Sequence, residues 1–141
     1  MKIKLNRIGD AYHFKAENER GHIVEMDSRA EFGGQDLAAS PMELLLMSLA
    51  GCSSIDIISI LKKQKQNITS FRTEVEGIRV PIDAASPFKK ITLMIYLEGN
   101  ISKEKALKAA DLSFQKYCSV AKTIEPTAEI NYKIVLNSET L

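Results

Sequence analysis

Apolar and polar residues alternate along this chain with two different periods, and the switches between them mark its elements. Ile3 and Leu5 alternate with polar neighbours, and so do Tyr12, Phe14 and Ala16. Successive side chains of a strand point to opposite faces, so this period-two pattern predicts two strands, at residues 2–8 and 11–17. Gly9-Asp10 supplies the turn between them, and Glu19-Arg20-Gly21 leads into a third short strand at 22–27. The three read as a small antiparallel meander. Residues 29–39 lose the alternation and contain Gly33-Gly34, which marks a loop.

The period then changes to that of a helix. Ser40-Pro41-Met42-Glu43 has the spacing of a capping box, in which the serine hydroxyl and the acid satisfy each other's backbone N–H groups. Proline suits the first helical position because it has no N–H to lose. The predicted helix runs to about Gln66, with Lys62, Lys63 and Lys65 complementing the negative end of its dipole. Its middle is apolar on nearly every face, which predicts a buried helix. Ser48, Ala50, Gly51, Ser53 and Ser54 are small enough to let another backbone approach closely. Two strands follow, at about 70–80 and 89–99, the second alternating Ile91, Leu93, Ile95 and Leu97. Pro81 and Pro87 bracket their connection. Ser102 caps a helix over about 103–117, with Ala106, Leu107, Ala110, Phe114 and Tyr117 at helical spacing and Cys118 at its end. A short turn or helix, 119–125, stops at Pro126. A last strand, 128–136, alternates Ile130, Tyr132, Ile134 and Leu136.

The order βββ-α-ββ-α-β predicts one α+β domain over 1–141. One sheet face cannot cover a helix that is apolar all round. A homodimer is therefore expected, with the central helices packed against each other or against the partner's sheet.

Composition narrows the function. A chain of 141 residues fits one domain, and 45% apolar residues exclude wholesale disorder. Lysine plus arginine (19) nearly cancels aspartate plus glutamate (18), which leaves no basic excess for nucleic acid. A four-ligand structural zinc site would need Cys52, Cys118, His13 and His22 together, in none of the usual close pairs, so no metal is expected. The N-terminus is charged and lacks the apolar core of a signal peptide. The stretch from Leu44 to Leu61 is interrupted by serines and Asp56, so no membrane partner is expected. The expected compartment is the cytoplasm, where thiols are kept reduced. A permanent structural disulfide is not expected there, and a transient one would be functional.

That leaves two cysteines. Packing alone can account for Cys52, mid-helix between Gly51 and Ser53, because free cysteine is among the most buried residue types. Cys118, at a helix end, is better placed to be reached. A thiol attacks as its thiolate, which needs a cation or hydrogen-bond donors. Mid-helix, Cys52 gains little from the helix dipole. Arg29, in the loop before the helix, is the best candidate cation, with Arg7 and Arg20 less constrained. Asp56 lies four residues after Cys52, on the same helix face. A carboxylate on so apolar a helix is expected to be paired, and an arginine partner would fix the cation beside the thiol. His13 and His22 read as strand residues rather than catalytic bases.

Two motifs carry a resemblance. Ser40-Pro41-Met42-Glu43-Leu44-Leu45 with Leu49-Ala50-Gly51-Cys52 resembles the central helix of the OsmC/Ohr family, the osmotically inducible and organic hydroperoxide resistance proteins. Tyr117-Cys118-Ser119-Val120-Ala121 resembles the family's second cysteine motif, and the element order is similar. The resemblance implies an intertwined homodimer and a peroxidase that reduces organic hydroperoxides. Cys52 would be the peroxidatic thiol and Cys118 the resolving thiol, joined transiently by a disulfide. No cofactor is implied beyond an external dithiol reductant, of lipoyl type in the family. In the family a glutamate directly after the helix-starting proline orients the catalytic arginine. Met42 stands at that position here, and the acid is Glu43, about 100° further around the helix. Glu43 is therefore expected to face elsewhere and to serve the cap, with Asp56 a possible substitute in the site. The alternative reading is a non-peroxidatic dimer that binds a small apolar or thiol-bearing ligand in the same interface pocket. A third is a purely structural pair of cysteines.

Overall fold

A computed structural model describes all residues, Met1–Leu141. The chain divides into two compact units, Met1–Leu45 and Leu46–Leu141.

In the first unit, β1 (Ile3–Arg7), β2 (Phe14–Asn18) and β3 (Ile23–Met26) form the expected antiparallel meander. Leu5 pairs with Ala16, and Ala16 with Val24. A single 3₁₀ turn, Ala30–Phe32, lies within the following loop. The loop is organised by Asp27, which is fully buried. Its carboxylate accepts backbone N–H groups from Ser28 (2.7 Å), Gln35 (3.1 Å) and Leu37 (3.2 Å). Burial alone would push this carboxyl up, but the three N–H donors and the nearby His13 hold it below the usual aspartate value.

Helix α1 (Pro41–Lys63) starts where its capping box predicts and ends three residues before the expected Gln66. The Glu43 carboxylate accepts the Ser40 N–H at 2.7 Å and the Ser40 hydroxyl at 2.6 Å. These bonds, with Arg29 nearby, hold Glu43 below the ordinary glutamate value. Both carboxylates are thus more acidic in the folded chain than in the unfolded one. Their contribution to stability is present at neutral pH and is lost as the pH falls through their lowered folded values. We expect the loop and the start of α1 to loosen first as pH drops below about 4.5. Amide hydrogen exchange of residues 28–45 against 88–100 checks this, and uniform protection of both regions on acidification would contradict it.

In the second unit, β4 (Asn67–Arg79), β5 (Phe88–Asn100), β6 (Glu129–Leu136) and the two-residue β7 (Glu139–Thr140) form one sheet in chain order. β4 and β5 are antiparallel, whereas β5 and β6 are parallel. A parallel pair cannot be joined by a hairpin, so the chain must cross over one face of the sheet. It does so as α2 (Lys103–Leu112), a π-helical turn (Ser113–Tyr117) and α3 (Ser119–Ile124). On the covered face, Ile91, Leu93, Ile95 and Leu97 are fully buried beside Ile134 and Leu136. Phe114 stacks on Tyr132 there, with ring centroids 4.4 Å apart. α1 lies over the same face, since the Ser54 hydroxyl meets Thr73 of β4 at 3.2 Å.

α1 is long and apolar enough to cross a membrane by length and composition. Within this chain it is a half-covered helix rather than the buried one expected. Leu49, Ser53, Ile57 and Leu61 are buried, while Met47, Gly51, Ile55 and Ser59 are exposed. One sheet covers one side of a helix, and the apolar remainder faces outward.

Candidate active site

The crossover determines where Cys118 goes. The sequence reads residues 103–117 as one α-helix, but its last turn is widened. The N–H of Cys118 bonds the carbonyl of Ser113, five residues back, at 2.8 Å. Such π turns recur at functional sites because they shift the residues beyond them out of α-helical register. Cys118 then serves as the N-cap of α3, its sulfur accepting the Ala121 N–H at 3.4 Å.

This places the Cys118 thiol against α1. The sulfurs of Cys52 and Cys118 and a carboxylate oxygen of Asp56 all lie within 4.8 Å of one another. Cys52 and Asp56 share a face of α1 because they are four residues apart. Cys52 and Asp56 are half-buried and Cys118 is fully buried. Burial is the main reason the Cys118 thiol is pushed up to about 11. The Ala121 N–H opposes it, while Cys52 and the Asp56 charge reinforce it.

Asp56 is not partnered by an arginine, as its sequence context suggested. Its partner is Ser113, whose hydroxyl lies 3.3 Å from Oδ2 and 3.4 Å from the Ser53 carbonyl. Ser113 is fully buried at the start of the π turn. Sequence reasoning missed it, although a serine between Leu112 and Phe114 on a packed helix was the available signal.

Arg29 and Glu43 form a second pair, in the first unit. The guanidinium Nη2 lies 3.8 Å from Glu43 Oε1, while Oε2 holds the cap. Glu43 serves the cap as expected and also faces Arg29, because its two oxygens point in different directions. Arg29 also lies 3.8 Å from Glu31. His13 pairs with Glu25 at 2.9 Å and His22 with Asn18 at 3.2 Å.

Comparison with known proteins agrees with this architecture. The model of the OsmC-like protein family matches residues 33–133. The chain belongs to the OsmC family. Protein YhfA of Escherichia coli K12 is 37% identical to this OsmC-family chain over 125 residues, which is 86% of the chain and 90% of YhfA. An OsmC-like protein from Mycoplasma pneumoniae has the same fold, with a TM-score of 0.81 at 19% identity over 96% of this chain and 95% of that one. So does a Legionella pneumophila structure described as an organic hydroperoxide resistance protein OsmC, with a TM-score of 0.73 at 17% identity over 94% of each chain. The α+β arrangement with two sheets and a central helix is thus that of the family.

Proposed function

We propose that this chain is a homodimeric thiol peroxidase that reduces organic hydroperoxides to alcohols. The observation that carries the reading is the pair of sulfurs within 4.8 Å, one half-exposed and one buried. The name of the Legionella fold relative points to the same substrate class. The unequal exposure assigns the roles. A peroxide reaches Cys52 before Cys118, and Cys118, held protonated to about 11, is the poorer first nucleophile.

The Cys52 thiolate attacks the peroxide. A sulfur–oxygen bond forms, the oxygen–oxygen bond breaks, and the alkoxide leaves with a proton as the alcohol. Cys118 sulfur then attacks Cys52 sulfur, and hydroxide leaves with the Cys118 proton as water. Asp56, beside both sulfurs, is the group placed to carry that proton. An external dithiol, of lipoyl type, restores both thiols by two exchange steps and is itself oxidised to its disulfide. The Arg29–Glu43 pair weighs against the ligand-binding alternative, which rested on the missing acid at Met42.

Mixing the reduced protein with cumene hydroperoxide tests the reading. Two thiols per chain should disappear with stoichiometric cumyl alcohol, and Cys52→Ser should consume no peroxide. Thiols that survive excess hydroperoxide would reject it.

A further inference from the structure

We propose that the reduced Cys52–Asp56–Cys118 cluster is a binding site for a thiophilic divalent cation of the zinc class, occupied in competition with the disulfide. The composition argued against a four-ligand structural site, and each histidine has a partner of its own, Glu25 and Asn18. Three protein ligands and an open fourth position make a different kind of site, the kind that keeps a water or an exchangeable ligand on the metal.

Spacing, convergence, outer-shell contacts and charge point to it. Two ligands stand four residues apart on one helix, the same i, i+4 spacing by which paired helical ligands chelate zinc. The third comes from the facing turn, so the set converges from two elements. In a tetrahedral site with metal–ligand bonds of ~2.0–2.3 Å, the ligand atoms sit roughly 3.5–3.8 Å apart. The three here lie within 4.8 Å of one another, at most about 1 Å beyond that spacing.

The outer shell is also in place. Ser113 donates to Asp56 Oδ2, which orients the carboxylate. The Ala121 N–H supports the Cys118 sulfur. Such second partners orient metal ligands. Finally, once a metal has displaced the thiol protons, two thiolates and a carboxylate carry three negative charges, and no lysine or arginine forms an ion pair with Asp56. A divalent cation supplies the missing counter-charge, and soft sulfur ligands select zinc or cadmium over magnesium or calcium. Cys52 is half-exposed, so the open position faces an entry path. Binding displaces one proton from each thiol; no electrons move.

This inference uses the same thiols as the peroxidase reading but does not depend on it. The test is an anaerobic titration of phosphine-reduced, desalted protein with cadmium, followed by the thiolate-to-cadmium ultraviolet band. We expect saturation at one cadmium per chain, protection of both thiols from a disulfide reagent, and no band after oxidation to the Cys52–Cys118 disulfide. Loss of even an outer-shell partner costs ~10–100-fold in metal affinity, so Asp56→Asn should weaken binding by at least ~10-fold while leaving two titratable thiols. Zinc should compete the band away. No saturable band, or equal affinity in Asp56→Asn, would overturn the assignment. Peroxide-driven thiol loss in metal-free protein is read separately, so either conclusion can fail alone.

Discussion

Replacing Cys118 with serine should leave a protein that reacts with a first equivalent of hydroperoxide but cannot turn over. On the proposed mechanism, a wild-type Cys52 sulfenic acid would have the Cys118 thiol within 4.8 Å, and condensation to the disulfide would protect it. In Cys118→Ser the hydroxyl cannot form that bond. The sulfenic acid persists, is trapped by dimedone, and gains further oxygen to sulfinic acid under excess peroxide. Intact mass after one and after many equivalents of hydroperoxide distinguishes the states. Wild-type protein should lose two hydrogens, and the variant should gain one oxygen and then two. Serine fits the Cys118 position without crowding and can still accept the Ala121 N–H, so folding should survive. Sulfenic acid accumulating in the wild-type protein would refute the resolving role, because a buried thiol this close should trap it.

The second large effect concerns assembly. Ile55 is 70% exposed and Met47 54% exposed on the outward face of α1, with Gly51 between them. In the N-terminal sheet, Ile3, Leu5, Ile23 and Val24 are each about half exposed. Apolar surface of this extent marks an interaction site. In a symmetric dimer each substitution occurs twice. Burying an isoleucine is worth ~1.5–3 kcal/mol, so losing two costs ~3–6 kcal/mol. That corresponds to roughly 10²–10⁴-fold in the dimer dissociation constant. Ile55→Arg adds a buried charge and should exceed this estimate. Light scattering across a dilution series should show wild-type dimers and Ile55→Arg monomers at the same micromolar concentration. A wild-type monomer throughout would sink the dimer proposal, and a dimeric variant would move the interface off α1.

Much of the architecture was legible because local chemistry fixed it. The capping box at Ser40–Glu43 starts α1 wherever the rest of the chain goes, since its partners are three residues apart. The alternation from Ile91 to Leu97 specifies a strand because one residue of slip would expose all four side chains. The widened turn at Ser113–Tyr117 was not legible. Its residues, Ser-Phe-Gln-Lys-Tyr, continue a helical pattern, and the extra residue per turn reflects how the crossover must land on the sheet. The two-residue β7 was likewise too short to leave a period.

The same division holds for the site. The sequence by itself identified the two cysteines and placed Cys52 and Asp56 on one helix face, because i and i+4 are neighbours in any α-helix. It also set Arg29 at the start of the pre-helix loop and Glu43 in the first turn of the helix that follows. Only the tertiary structure decided that Glu43 both caps α1 and holds Arg29, and that Asp56 is met by Ser113 rather than by a cation. It alone decided that Cys118 reaches Cys52 at all. That meeting depends on the parallel pairing of β5 with β6, which forces the connecting helices back over the face that α1 occupies. Contacts between residues so distant in sequence are set by the path of the chain, and local pattern carries no record of that path.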